Sequence, residues 1–456
     1  MSAHSTLPAG SPFSRSATHL VSALATADFG AETVRIGDLN GDGAPDLLYV
    51  QSVFGQRAIT CLTAVTIFGE RLWQVGTPST ANGKVYSDLP VQIYDWDGDG
   101  CNEVLYIRQA HYADPVLYAD PYYREHKICE RARRYAGEAT MVVLDSLTGR
   151  EKSTFPLPAP ADDCFLFADL TGRGRREDLV VKDRYWNMWG VSHAGEVLWH
   201  WPGSTGHYPA IADVDGDGRD EVFVGYALID HDGTVLFHKD WAGWGDGVED
   251  PWRVPEHQDA AYLVRMGDAW RLLFGNGGVH CLALDGTERW HHPLQEAQHV
   301  VAGRYRHDSA MQVAVIDRGY PRTPEGKPAD LLLYDMEGRE IWRRPQLAGG
   351  WCAACLDIRW SGGDLQEILV YKRGFQSSIA IYDGEGNVVD EIDVPAEIRD
   401  AQNPTDPGNF YCSRAAVWGD SRDKVLVYGR NGTQIHANRR AWAVPTLYNH
   451  TLYNGM

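Results

Sequence analysis

The sequence lacks any apolar run long enough to cross a membrane. It also lacks a recognisable N-terminal signal, because the opening segment MSAHSTLPAGSPFSRSATHL has no basic stretch followed by an apolar one. We therefore expect a cytoplasmic protein, or a secreted one if a signal peptide has been removed. Neither feature points to an association with membranes.

Positive charge is scarce in this chain. There are 42 lysines and arginines against 62 aspartates and glutamates, which gives a formal net charge of -20. Such a field disfavours nucleic acid and anionic membranes as partners. Part of the excess lies in acidic loops, where a bound cation would neutralise it.

Cysteine is also sparse and scattered. Of the eight cysteines only Cys352 and Cys355 form a close pair, and one CxxC without a second is weak support for zinc. Most of the others lie inside apolar runs, which favours buried thiols over a disulfide framework.

The most informative stretch of the sequence runs from residue 207 to residue 233. Its acidic residues, at relative positions 0, 2, 4 and 8, are Asp213, Asp215, Asp217 and Glu221. Alternating oxygen ligands on a glycine-rich loop suit Ca²⁺. The flanks IAD and EVFVGY are rich in β-branched and aromatic residues, so this loop joins two strands rather than two helices.

The same spacing recurs upstream, in VRIGDLNGDGAPDLLYV and in VQIYDWDGDGCNEVLYI. The predicted metal ligands of these two loops are Asp38, Asn40, Asp42 and Asp46, then Asp95, Asp97, Asp99 and Glu103. A third copy carries Arg173 where an acid is needed, so we expect it to bind no metal. Four further copies are degenerate.

Each repeat holds four short strands in roughly 40 residues, a period typical of propeller blades. The sequence thus predicts an all-β protein, a single β-propeller of four-stranded antiparallel blades. We count eight repeats, with seven blades as the alternative. We divide the chain into an N-terminal arm, residues 1–30, and a propeller, residues 31–456, with a long insertion at 110–138. The last repeat lacks a fourth strand, which the arm could supply to close the ring.

Propeller geometry places the acidic loops on one face and the other loops over a central funnel. On the first face we expect structural Ca²⁺ far from any chemistry. On the funnel face, loops rich in histidine, arginine and aromatic residues converge, and they suit an anionic, ring-containing ligand. The predicted substrate-binding residues are Arg184, Tyr123, Arg124, Trp244, His257, His280, His299, Arg318, Tyr320 and Arg373. Any one of them alone would more often be an ordinary surface residue.

Several phrases resemble a known family. DRYWNMWGV, STGHYPAIADVDGDGRDEVFVGY, EHQDAA, EAQHVVAGRYR and PTLYNHTLYNGM, in this order, are similar to the β-propeller polysaccharide lyases. The resemblance is to ulvan lyases and rhamnose–α-1,4-glucuronate lyases, and more distantly to rhamnogalacturonan lyases with calcium-loaded propellers. It implies β-elimination at a glucuronate linked to rhamnose, giving a 4,5-unsaturated uronate.

The resemblance also implies catalytic residues. Tyr185 matches the family's strand-end tyrosine and His207 the histidine of GHYP, while His111 or His126 would be the histidine from the second blade. A base removes the C5 proton, an acid assists departure of the C4 oxygen, and a cationic group neutralises the uronate. The expected partner is a uronate-containing glycan, and we expect a monomer.

Two other functions fit parts of the pattern. One is a non-catalytic FG-GAP-type propeller that binds carbohydrate or protein. The other is a hydrolase with paired carboxylates, which is disfavoured because most acids lie in the hairpin loops away from the funnel.

Overall fold

The computed structural model describes residues 18–53, 58–79, 85, 88–109, 137–161, 163–183, 187–239, 258–318, 328–345, 353–372, 378–399 and 408–440. Within these ranges 32 strands form eight four-stranded antiparallel sheets. The prediction of an eight-bladed all-β propeller is confirmed, and the seven-bladed alternative is wrong. Each of blades one to seven is four consecutive strands in meander order.

Blade one comprises β2 (Thr33–Gly37), β3 (Asp46–Val53), β4 (Ala58–Val65) and β5 (Arg71–Gly76). Blade two comprises β6 (Val91–Tyr94), β7 (Glu103–Gln109), β8 (Ala139–Asp145) and β9 (Glu151–Leu157). Blade three comprises β10 (Phe165–Ala168), β11 (Asp178–Lys182), β12 (Asn187–Val191) and β13 (Val197–Pro202). Blade four comprises β14 (Ala210–Ala212), β15 (Glu221–Phe223), β16 (Ala227–Ile229) and β17 (Val235–His238).

Blade five comprises β18 (Ala260–Met266), β19 (Ala269–Gly275), β20 (Gly278–Leu282) and β21 (Glu288–Pro293). Blade six comprises β22 (Ala297–Gly303), β23 (Gln312–Asp317), β24 (Asp330–Asp335) and β25 (Glu340–Pro345). Blade seven comprises β26 (Ala353–Ile358), β27 (Glu367–Lys372), β28 (Ser378–Tyr382) and β29 (Val388–Asp393). Blade eight comprises β30 (Tyr411–Ala415), β31 (Lys424–Tyr428), β32 (Gly432–Asn438) and the N-terminal β1 (Thr18–Ala25).

The ring is therefore closed by the two ends of the described chain. β1 pairs antiparallel with β32, from Thr18 opposite Asn438 to Ala25 opposite Gly432. The hydroxyl of Ser22 donates to the carbonyl of Ile67, which ties this strand to blade one as well (2.7 Å). The last blade is thus completed by strands from both ends of the described chain, which holds the ring closed.

The core lies between neighbouring blades. The second strands are buried along almost their whole length, as in β11 (DLVVK), because a blade packs on each of their faces. The outermost strands alternate instead: in β13 the side chains of Trp199 and Trp201 are buried and their neighbours are exposed. Trp199 packs on Gly233 of the next blade, where a Cβ would lie 2.7 Å from the tryptophan. This contact explains the glycine in the DHDG turn.

Helix is nearly absent from the described ranges, which hold a 3₁₀ turn at Ala27–Phe29 and one α-helical turn at Ala396–Arg399. None of the described helices has the length and apolar character needed to span a membrane. Six cysteines are described as free thiols, and five of these are buried.

Candidate active site

The acidic loops all join the first and second strands of their blades, so they lie at the end of the first strand. In blade four, Asp213 accepts the backbone N–H groups of Gly216 and Gly218, at 2.7 and 3.1 Å. Glu221 is fully buried and accepts the N–H of Val214 at 2.7 Å through Oε2. Its other oxygen, Oε1, is buried and has no hydrogen-bond partner among the described residues.

The charge balance of this loop fits a cation. Asp213, Asp215 and Glu221 each place an oxygen within 4.8 Å of the others. Burial, reinforced by the neighbouring carboxylates, raises the pKa of Glu221 to about 7. A divalent ion among these oxygens would offset that cost and supply the missing partner of Oε1.

The loop of blade one has the same backbone geometry. Asp38 accepts the N–H groups of Gly41 and Gly43, at 2.7 and 2.8 Å, and Asp46 accepts that of Leu39 at 3.0 Å. Asn40 donates its amide to the carboxylate of Asp42, at 3.0 Å.

The loop of blade two differs, because a lysine from the outermost strand bridges two of its carboxylates. Asp95, Asp97 and Asp99 converge as in blade four. However, the ammonium of Lys152, on the outermost strand, lies 2.7 Å from Asp97 and 2.8 Å from Glu103. The hydrogen bonds to Asp97 and Glu103 raise the pKa of Lys152. The hydrogen bond from Lys152 lowers the pKa of the Asp97 carboxyl group. The predicted metal site of blade two thus has an internal competitor.

A second group of residues lies at the opposite ends of the first strands, where blade follows blade. His207 stands in the connection between β13 and β14. Its Nδ1 lies 3.0 Å from Oδ2 of Asp163, which belongs to the connection between β9 and β10. Its Nε2 lies 3.9 Å from Oδ1 of Asp259, in the connection before β18. Three successive inter-blade connections therefore meet at one imidazole.

Two further contacts extend this group. Tyr208 donates its hydroxyl to Asp88, which precedes the first strand of blade two. Lys182, at the end of β11 and 1% exposed, lies 3.5 Å from Asp163. We call Asp88, Asp163, Lys182, His207, Tyr208 and Asp259 the histidine cluster.

The connection that carries His207 is held by Gln258. The side-chain amide of Gln258 donates to the carbonyls of Thr205 and Tyr208, at 3.4 and 3.2 Å. The backbone N–H of His207 donates to the carbonyl of Gln258, at 3.1 Å. Gly206 has φ +59°, and a Cβ there would lie 2.5 Å from the Gln258 side chain. The glycine of the GHYP phrase is thus required by close packing next to His207.

The other described candidates are placed as follows. His280 lies within β20, is 1% exposed, and stacks on Phe274 with ring centroids 4.4 Å apart. His299 lies within β22, the first strand of blade six, and is half-buried. Arg318 directly follows β23 and is 5% exposed; its guanidinium is 3.3 Å from Glu296. Their roles in substrate binding stay predictions.

The remaining candidates lie outside the described residues. These are Tyr185, His111, His126, Arg184, Tyr123, Arg124, Trp244, His257, Tyr320 and Arg373, together with most of the 110–138 insertion. Their predicted roles are unchanged.

Sequence reasoning missed the acidic side of the histidine cluster. Asp88 and Asp163 lie in none of the recognised phrases, and Asp259 belongs to the EHQDAA phrase but has no predicted role there. Each nevertheless occurs a few residues before the first strand of a blade, as His207 does. That shared position in the repeat is the signal that could have revealed them.

Fold and site together define an eight-bladed propeller with cation-type loops at one end of its first strands and a histidine–carboxylate cluster at the other. No family model matches the chain. It is 25% identical over 327 residues to the rhamnogalacturonan endolyase YesW of Bacillus subtilis, covering 59% of this chain and 51% of YesW. It is 24% identical over 290 residues to the rhamnogalacturonan exolyase YesX of the same organism, covering 53% and 47%. The chain thus spans about half the length of these curated relatives.

Solved structures extend this similarity over the whole propeller. The crystal structure of YesX matches with a TM-score of 0.59 at 20% identity, covering 90% of this chain and 72% of YesX. That of YesW matches with the same TM-score at 19% identity, covering 92% and 74%. At these identities the structural likeness establishes the fold alone.

Proposed function

We propose that the chain is a polysaccharide lyase, a carbon–oxygen lyase that cleaves a glycan by β-elimination beside a uronic acid. The sequence similarity to two rhamnogalacturonan lyases supports this reaction class. The observation that carries the proposal is the placement of His207, a histidine of the lyase-like GHYP phrase, at the meeting point of three inter-blade connections. Elimination needs such a group, held rigidly beside the sugar.

The chemistry assigns roles to particular side chains. The C5 proton of a uronate becomes acidic enough to remove only when the carboxylate is neutralised. We assign proton transfer to Tyr185 and place His207 beside the substrate carboxylate, with His111 or His126 completing the site. The acids of the histidine cluster would repel a uronate, so Lys182 and the predicted arginines have to offset them.

The substrate we propose is a uronate linked to rhamnose. The resemblance found in the sequence favours glucuronate, as in ulvan. The relatives are named for rhamnogalacturonan, in which the uronate is galacturonate. The two sugars differ in the configuration at C4, the carbon that loses its oxygen, so a comparison of both polymers tests the specificity directly.

We further propose structural Ca²⁺ at the loops of blades four and one. The fully buried Glu221, with one oxygen lacking a partner, supports the site in blade four. The residues that would hold the ion there are Asp213, Asp215, Asp217 and Glu221. Bound calcium would fix the hairpin and neutralise its charge; it would take no part in the elimination, because it lies at the other end of the strands.

A direct assay tests the activity. Elimination creates a double bond conjugated to the carboxylate, and the product absorbs in the ultraviolet. Purified protein should raise this absorbance with a rhamnose–uronate polymer, and His207→Gln should lower the rate about a hundredfold or more, the usual contribution of a group that transfers a proton or stabilises charge. His238→Gln, at an exposed histidine of β17, is the matched control and should keep the parental rate.

The alternative is a propeller that binds a glycan without cleaving it. Saturable binding of the same polymers, with no absorbance change from any of them, would favour that alternative and contradict the lyase.

A further inference from the structure

Asp163 has an unusual backbone conformation. It is the one non-glycine residue with a positive φ among the described residues, and its φ is 63°. Aspartate tolerates this region better than most residues, but usually in exposed turns where its side chain bonds locally. Asp163 is instead fully buried. Strained conformations that persist in a buried position often belong to functional sites.

The carboxylate of Asp163 is directed at His207. Oδ2 lies 3.0 Å from Nδ1 of His207, a residue 44 positions away. An ionised carboxylate can only accept hydrogen bonds, so Nδ1 has to carry the proton. The second ring nitrogen, Nε2, is then the atom through which neutral His207 can accept a proton.

The surroundings support an ionised Asp163. The ammonium of Lys182, on β11, lies 3.5 Å from the same oxygen, and both side chains are almost completely buried. On the far side, Asp259 faces Nε2 at 3.9 Å, a distance too long for a hydrogen bond. Among the described residues, the other titratable groups nearby are Asp88, whose carboxylate lies within 4.8 Å of Asp163 and His207, Tyr208, whose hydroxyl bonds Asp88, and Cys164, whose thiol lies 3.7 Å from the His207 carbonyl.

We propose that Asp163 is a positioning residue, which fixes His207 as the Nδ1–H tautomer and aims Nε2 at the substrate. The positive φ turns the carboxylate from the connection between blades two and three towards His207, in the connection between blades three and four. Lys182 holds that carboxylate in place. The catalytic part of this inference rests on the proposed function; the tautomer does not.

Asp163→Gly tests the tautomer. Glycine adopts positive φ without strain, so the backbone of the connection should survive, while the acceptor of the Nδ1 proton is removed. Without that acceptor His207 should lose its preference for the Nδ1–H tautomer and populate the Nε2–H form. Nitrogen-15 NMR of histidine-labelled protein at mildly alkaline pH reads this directly, with the His207→Gln spectrum to assign the signal. Asp259→Asn is the matched comparison and should leave the Nδ1–H tautomer in place.

The same variant tests the catalytic role. In an active enzyme, Asp163→Gly should lower kcat about a hundredfold or more while KM changes little, because a wrong tautomer affects the reacting state rather than binding. An Nε2–H tautomer in the parent protein, an unchanged tautomer in the variant, or an unchanged kcat would each overturn the proposal. A tautomer switch in a protein that eliminates no glycan would support the placement of the proton and contradict the proposed function, so the two failures are distinguishable.

Discussion

At the scale of single residues, the candidate site depends on how a short connection is held. Gly206, Gln258 and Asp163 have no predicted catalytic role, but together they fix the backbone and the ring of His207. The imidazole is only 16% exposed on its side chain, so its environment is set by the protein more than by solvent. A functional histidine in this fold is therefore defined by its neighbours in two other blade connections.

Gly206→Ala should disturb this arrangement. At φ +59° an alanine is strained, and its Cβ would overlap the side chain of Gln258, 2.5 Å away. We expect a loss of about 1–3 kcal/mol in the free energy of unfolding, together with a lower kcat. Gly267→Ala is the matched control, because Gly267 has φ +62° but no atom within 4 Å of the added Cβ. Chemical denaturation of both variants measures the difference. Equal losses would mean that the packing against Gln258 is unimportant.

At the scale of the blade, the hairpin loop has two ways to be held. A cation can bind the acidic side chains of the loop, or a protein group such as the Lys152 ammonium can take the place of that cation. One hydrogen bond is present in both cases. The residue at relative position 8 of the loop accepts a backbone N–H from just after the first strand. The residues that do so are Asp46, Glu103, Glu221, Gln312 and Glu367. The degenerate loops of blades six and seven have lost ligands but kept this hydrogen bond.

Lys152→Met should convert the blade two loop into a cation site. The Lys152 ammonium lies 2.7 Å from Asp97 and 2.8 Å from Glu103. Without it these carboxylates lose their shared cation, and a divalent ion becomes the best replacement. We expect the parent protein to bind two Ca²⁺ and the variant three, by elemental analysis after dialysis. Chelation should lower the melting temperature of both, and of the variant more, since an ion that binds only the folded state stabilises it by mass action. Equal metal content in the two proteins would contradict the competition.

The repeat explains what the sequence could and could not predict. Strand number, the hairpin loops and their spacing are local features, so VDGDG-type phrases and β-branched runs were sufficient to predict the eight blades. The contacts of the histidine cluster are not local. Asp163 is 44 residues from His207, and Asp88 is 120 residues from Tyr208. Only the closure of consecutive blades around one axis brings such residues together, and a single sequence carries no direct record of that contact.

At the scale of the whole molecule, stability depends on the strand that closes the ring. His436 lies in β32, opposite Leu20 of β1, and is 8% exposed. Burial, with the neighbouring His19, lowers the pKa of His436 from 6.5 to about 4. Closure of the propeller thus depends on a histidine that must stay neutral.

Acid should therefore weaken ring closure. Between pH 6.5 and about 4 the unfolded chain binds a proton at His436 that the folded chain does not, so the free energy of unfolding falls as the pH falls, by a total on the order of 3 kcal/mol. His436→Gln should flatten this slope in urea denaturation measured across that range. His238→Gln, at an exposed histidine, should not. Parallel slopes for the parent and His436→Gln would show that acid acts elsewhere.

The proposed function depends on elimination. The source of the oxygen in the product tests elimination most directly. The protein is incubated briefly with ulvan and with rhamnogalacturonan in heavy-oxygen water, and the fragment masses are measured by mass spectrometry before the reducing ends exchange oxygen with the solvent. Elimination should give unsaturated fragments from at least one polymer. Each fragment should be lighter by one water than a hydrolysis fragment and contain no heavy oxygen from the solvent. His207→Gln should give far fewer of these fragments. Fragments that incorporate solvent oxygen would identify a hydrolase, and intact polymers in both incubations would contradict the lyase.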